Sequence, residues 1–160
     1  MKNRAIYTGT FDPITNGHMD VLNRALKIYD EVIIAVAQST SKSPMYTLNM
    51  RIKLIQLATK SMKSVVVKPF NTLLVDFAEE EKVYNIIRGI RTSTDFEYEL
   101  QMSYANSSLN DKIDTIYLMP TLKNAFVSSS IVRELIKFNG DFSHLVPTEI
   151  IKKLKIKKGK

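Results

Sequence analysis

Five short apolar runs rich in β-branched residues recur along this chain, and between each pair of them lies a segment patterned for an amphipathic helix. The runs fall at 5–8, 31–37, 64–68, 83–88 and 115–119, and the helical patterns at 17–28, 47–62, 72–81, 94–108, 129–138 and 148–155. Their lengths and β-branched content mark the runs as strands, and the 3.6-residue spacing of Leu, Val and Ile marks the rest as helices. Few arrangements satisfy so regular an alternation with short connections, because each crossover helix must cover a face of a parallel sheet. The predicted fold is α/β: a doubly wound Rossmann-like parallel sheet with helices on both faces. At 160 residues, 44% of them hydrophobic and 24% charged, the chain suits one domain with a sizeable core over 1–160.

In such sheets ligands bind beyond the carboxyl ends of the strands, near the point where strand order reverses. Thr10 follows the first strand, Lys42 the second, Arg88 and Arg91 the fourth, and Ser128, Ser129 and Ser130 the fifth. The first of these segments reads Tyr7-Thr8-Gly9-Thr10-Phe11-Asp12-Pro13-Ile14-Thr15-Asn16-Gly17-His18. Gly9 allows a turn without a Cβ clash, and Pro13 pre-sets a bend. Val21, Leu22, Ala25, Leu26 and Tyr29 then recur at helical spacing, so His18 falls in a first helical turn, where free N–H groups and the positive dipole end favour anions. A glycine that shapes a turn and a histidine that caps it would account for the same residues, so the rest of the chain decides.

Arg88-Gly89-Ile90-Arg91 places two guanidiniums three residues apart around a glycine, each a planar donor fork able to grip a separate phosphate. Phe126-Val127-Ser128-Ser129-Ser130-Ile131-Val132-Arg133 puts serine hydroxyls and first-turn N–H groups into a second anion cradle, with Arg133 one turn into the helix. Lys42 sits on a polar loop that could close over a substrate. Singly these are solvent-facing charges, an N-cap and a surface lysine. Together they converge on one edge of one sheet, which points to a substrate rich in phosphates. No Gly-x-Gly-x-x-Gly follows the first strand, which argues against a dinucleotide-dependent dehydrogenase.

The absence of Cys removes disulfides and thiolate chemistry, and two widely separated His argue against zinc, leaving Mg²⁺ on phosphates as the expected metal. No apolar run has the length of a membrane span, and Lys2 and Arg4 lead directly into a strand, so a cytoplasmic protein is expected. The net charge of +7 owes most to six Lys at 152–160; without them 17 basic residues face 16 acidic ones. That Lys-rich tail reads as a solvated helix end rather than a nucleic-acid arm.

The motifs resemble those of the nucleotidylyltransferase superfamily, which carries (His or Thr)-x-Gly-His after its first strand and Ile-Ser-Ser-(Thr or Ser)-x-x-(Arg or Lys) before a late helix. Here they are Thr15-Asn16-Gly17-His18 and Val127-Ser128-Ser129-Ser130-Ile131-Val132-Arg133. Gly9 to His18, Arg88 to Arg91 with Asp95-Phe96-Glu97-Tyr98-Glu99, and the triple serine further resemble the bacterial phosphopantetheine adenylyltransferase family, from the first strand to Pro147. The resemblance implies adenylyl transfer from ATP to 4′-phosphopantetheine, giving dephospho-coenzyme A and pyrophosphate in coenzyme A biosynthesis. It implies that His18 and Thr10 orient and stabilise the α-phosphate, that Thr10, Lys42 and Arg88 hold the acceptor, and that Leu74 lies along its pantetheine arm. ATP contacts are implied for Thr10, Phe11, His18, Gly89, Ile90, Arg91, Glu99, Asn124, Ala125, Phe126, Val127, Ser128, Ser129 and Ser130, with Mg²⁺ bridging the ATP phosphates. A homohexamer inhibited by coenzyme A is also implied, with no nucleic-acid or membrane partner. Thr8 stands where the family usually has Pro or Ala, and Asn124 where many members have Trp. Cytidylyl transfer, nicotinate-mononucleotide adenylyl transfer and a basic nucleic-acid-binding module are the alternative readings.

Overall fold

The computed structural model describes residues 2–38 and 43–154. Five strands alternate with helices in the order β1 (Arg4–Gly9), α1 (Asn16–Ala25), β2 (Glu31–Ala37), α2 (Leu48–Ala58), β3 (Val65–Phe70), α3 (Leu74–Glu81), β4 (Asn85–Gly89), α4 (Ser93–Leu109), β5 (Asp114–Leu118) and α5 (Ser129–Lys137). A 3-10 turn at Thr148–Ile150 runs into a final short helix, α6 (Ile151–Leu154). All strand pairings are parallel and the sheet order is β3-β2-β1-β4-β5, so the chain winds one way from β1 and then the other, reversing between β1 and β4. The doubly wound Rossmann-like sheet expected from the alternation is the fold observed.

Strand alternation divides the core in two. Ala5, Tyr7, Val32, Ile34, Val36 and Ile87 face one cluster with Val21, Leu22 and Ala25 of α1, Leu54 and Ile55 of α2, and Val132 of α5. Ile6, Ile33, Ala35 and Ile86 face the other, closed by Val75, Phe77 and Ala78 of α3. β2 is buried from Val32 to Val36, which is why its sequence is a continuous apolar run rather than an alternating one.

Several boundaries differ from the periodicity. β3 runs through Pro69 to Phe70 instead of stopping at 68, because β3 is an edge strand and the missing N–H of Pro69 costs no ladder bond. α1 ends at Ala25 rather than 28; its last residues tighten into a turn in which Ile28 N–H donates to Ala25 C=O at 2.9 Å. α2 ends at Ala58 rather than 62, and the Thr59 hydroxyl donates back to Ile55 C=O at 2.8 Å. The Lys-rich end is not wholly a solvated helix terminus: Leu154 is fully buried in the first cluster, and its carbonyl accepts from the Tyr46 hydroxyl at 3.4 Å. Residues 155–160 lie outside the described residues.

Candidate active site

A cavity of about 430 Å³ opens at the β1/β4 reversal, beyond the carboxyl ends of the strands. Its lining brings together Thr10, Phe11 and His18 from the β1–α1 segment, Arg88, Gly89 and Arg91 from the end of β4, and Val127, Ser128, Ser129 and Ser130 at the start of α5. Three segments separated by up to 120 residues in sequence thus meet because β1 pairs with β4 and the start of α5 bonds to the turn after β1, through Ser129 to Pro13 C=O and Arg133 to Asp12 C=O. Leu74, Ile90, Glu99, Asn124, Ala125 and Phe126 lie outside this lining, and Lys42 lies outside the described residues.

His18 is the third residue of α1, and it closes a capping box. The Thr15 backbone N–H donates to His18 Nδ1 at 3.0 Å, and the His18 N–H donates back to Thr15 Oγ1 at 3.4 Å. A nitrogen that accepts from a backbone N–H carries a lone pair, so the ring proton belongs on Nε2. Burial lowers the His18 pKa to about 4, with the Arg91 and Arg88 guanidiniums adding to the effect. At neutral pH His18 is therefore an uncharged imidazole offering one N–H to the cavity it lines. The Phe11 ring meets it edge-on at 5.0 Å and is itself met by Tyr7 at 5.3 Å, which fixes the imidazole plane from behind.

The turn that carries these rings does not work as the sequence implied. Gly9 has no positive φ; Phe11 takes that conformation instead, at φ 49°. What Gly9 provides is room, because a Cβ there would lie 3.2 Å from the Phe11 ring and press on it. Gly17 is a second close approach, its Cβ position lying 3.2 Å from Val127 C=O and 3.5 Å from Asn124 C=O, so α1 rests directly on the segment leading into α5.

Each arginine is aimed by groups that leave donors free. Arg88 is held by both Glu99 carboxylate oxygens, with Nε donating at 2.6 Å, and its Nη1 donates to Thr8 C=O at 2.7 Å. Two of its five N–H groups remain for a ligand. Arg91 bonds Asp95 through Nε at 3.1 Å and Val127 C=O through Nη1 at 3.3 Å. The three serines do three different jobs. Ser128 caps α5, accepting from Ile131 N–H at 3.2 Å; Ser129 donates to Pro13 C=O at 2.8 Å; Ser130 accepts from Arg133 Nη2 at 3.1 Å, which leaves its own proton available.

Asp12 and Tyr7, to which the sequence motifs attach no role, line the cavity as well, and so does Arg133 of the predicted anion cradle. Asp12 is buried and accepts from the N–H groups of Met45 and Tyr46 at 2.8 and 2.9 Å, while Arg133 Nη1 donates to Asp12 C=O at 2.7 Å. The Asn124 side chain is engaged elsewhere: its amide donates to Asp20 at 2.8 Å, and Thr121 donates to the same carboxylate. Partial burial works against ionisation of Asp20, and the bonds from Thr121 and Asn124 outweigh it, holding its carboxyl below the usual range. Asn124 thus ties α1 to the loop after β5.

The sequence profile of the Cytidylyltransferase-like family matches residues 6–135. A phosphopantetheine adenylyltransferase of Nautilia profundicola is 56% identical over 154 residues, covering 96% of this chain and all of that one. The Campylobacter jejuni protein of the same name is 58% identical over 150 residues, 94% of this chain and 95% of its own. Among solved structures, a lipopolysaccharide core biosynthesis protein from Thermoplasma volcanium superposes with a TM-score of 0.56 at 23% identity, over 76% of this chain and 98% of that one, a likeness of fold. Identity of this extent along nearly the whole length, in a chain whose two diagnostic motifs face each other across one cavity, places it: the chain belongs to the phosphopantetheine adenylyltransferase family.

Proposed function

We propose that the cavity at the β1/β4 reversal is where this enzyme transfers the adenylyl group of ATP to 4′-phosphopantetheine, giving dephospho-coenzyme A and pyrophosphate. Family membership supplies the reaction. The observation that carries the placement is His18, a neutral N–H donor set among Arg88, Arg91 and a helix start with free N–H groups.

The acceptor phosphate is already an anionic nucleophile, so the reaction needs no general base. What remains is to bring acceptor oxygen and α-phosphorus into line and to stabilise the charge that builds on the α-phosphate oxygens. His18 Nε2–H and the Thr10 hydroxyl serve that purpose, with Ser130 and the first-turn N–H groups of α5. The free donors of Arg88 take the acceptor phosphate, and Gly89 with Arg91 receives the nucleotide. Lys42 and Leu74 as acceptor contacts, and Ile90, Glu99 and the 124–127 segment as nucleotide contacts, belong to the same reading.

Mg²⁺ fits this site as a passenger on ATP. No group of three or more His, Asp or Glu able to hold a metal occurs among the described residues, and the lining carboxylate Asp12 is engaged by two backbone N–H groups. Bound to the nucleotide phosphates, the ion would neutralise the departing pyrophosphate.

Two further features follow. α4 has no buried residue and exposes Phe96, Tyr98, Met102 and Tyr104, an apolar face that supports self-association into the family's hexamer. Coenzyme A shares both halves of the product, so it would occupy this cavity and inhibit. No helix among the described residues is long and apolar enough to cross a membrane, and an ATP-consuming step of this kind suits the cytoplasm.

The test is pyrophosphate release with ATP and Mg²⁺, with and without 4′-phosphopantetheine, with CTP and nicotinate mononucleotide as rivals. Release that needs ATP and phosphopantetheine together is expected, and release only with a rival pair would refute the substrate assignment.

A further inference from the structure

We propose that Arg51 is a positioning residue for the adenylyl transfer, acting through Thr10: from beneath the cavity its guanidinium fixes the Thr10 carbonyl and thereby aims the threonine hydroxyl at the reacting phosphates. The proposal rests on the reading above in which Thr10 contacts those phosphates.

Arg51 lies on α2 and is only 2% exposed, among the largest fully buried side chains in the chain. It forms no ion pair within 4.0 Å among the described residues. Instead Nη1 donates to Thr10 C=O at 2.7 Å and to Ala37 C=O at 2.9 Å, and Nε donates to Tyr46 C=O at 3.2 Å. One planar group thus joins the turn after β1, the end of β2 and the segment entering α2. Both backbone polar groups of Tyr46 are engaged, its carbonyl accepting from Arg51 and its N–H donating to Asp12 at 2.9 Å, and Asp12 is two residues from Thr10.

Burying a guanidinium with no carboxylate at ion-pair distance is costly even with the more distant charge of Asp12 in its favour, and an apolar side chain of similar volume would fill the same space more cheaply. The charge is therefore retained for its donors, and the shortest of its bonds goes to Thr10. The Thr10 side chain is exposed, and among the described residues no protein group bonds its hydroxyl. Its direction depends on its backbone, and that backbone is held by Arg51. Lysine keeps the charge but cannot hold three carbonyls in one plane.

The test is a double-mutant cycle on kcat with Arg51→Lys and Thr10→Ala, each variant checked by thermal melting and with KM measured for both substrates. Arg51→Lys should lower kcat about tenfold or more, since small misplacements of a positioned group are expensive, with both KM values within about threefold of the parent. In the Thr10→Ala background the same change should cost less than about twofold, because residues acting as a unit are not additive. If Arg51→Lys does not fold, Arg51→Gln takes its place in the cycle. Full additivity, with Thr10→Ala itself impaired, overturns the positioning role and leaves Thr10 in the site. An unimpaired Thr10→Ala overturns both this proposal and the reading on which it rests.

Discussion

The Thr15 backbone N–H donates to Nδ1 of His18 at 3.0 Å, and that one bond sets which face of the imidazole can do chemistry. With Nδ1 committed to the helix cap, Nε2 must carry the proton and can only donate. A group in this role stabilises negative charge without titrating near neutrality.

The protonation state is therefore the first prediction. Nitrogen-15 NMR should show His18 as the neutral Nε2–H form at pH 7, titrating near 4. An unfolded histidine titrates near 6.5, so between about 6.5 and 4 the unfolded chain binds more protons than the folded one. The contribution of His18 to stability is fully present above that window and is lost as pH falls through it. At about 1.4 kcal/mol per pKa unit the loss is a few kcal/mol. A midpoint at or above 6.5 would contradict the assignment.

Arg88 gives the second. Its fork is held by Glu99 and Thr8 with two N–H groups left unused, and a lysine cannot reproduce that division. Arg88→Lys should weaken binding of 4′-phosphopantetheine about tenfold or more, the scale of one or two charge-assisted hydrogen bonds, with ATP binding within about threefold. Calorimetric titration of each substrate separates the two, and equal losses for both would refute the placement.

The C-terminal lysines give the third. Truncation after Leu154 should leave melting temperature and adenylyl transfer unchanged, because the buried leucine stays in place. Truncation after Ile151 removes Leu154 and should cost about 2–5 kcal/mol in denaturant unfolding, as for other large buried aliphatics. Loss of activity in the longer form would assign the tail a function.

What the sequence made legible follows from where its signals are local. The buried run of β2, the spacing of Val21, Leu22 and Ala25, and the serine cap before α5 are short-range features, and the fold is read from them. His18, Arg88, Arg91 and the serines were legible as residues because strand ends in an α/β sheet share one edge. Arg51 and Asp12 were not. Their partners are backbone carbonyls and N–H groups up to 41 residues away, and no periodicity distinguishes an arginine buried to hold carbonyls from one facing solvent. The bond from the Asn124 amide to Asp20, a contact across 104 residues, is equally invisible to any local pattern.

The most direct test of the account is kcat for His18→Gln. Glutamine at the third helical position can accept from the Thr15 N–H as the imidazole does, so the capping box survives; His18→Ala, which leaves that N–H unpaired, serves as the control and should cost about 1 kcal/mol of stability. His18→Gln should melt with the parent yet turn over at least about a hundredfold more slowly, the scale of losing one oriented donor to a transition state. Turnover within a few-fold of the parent in that folded variant would contradict it.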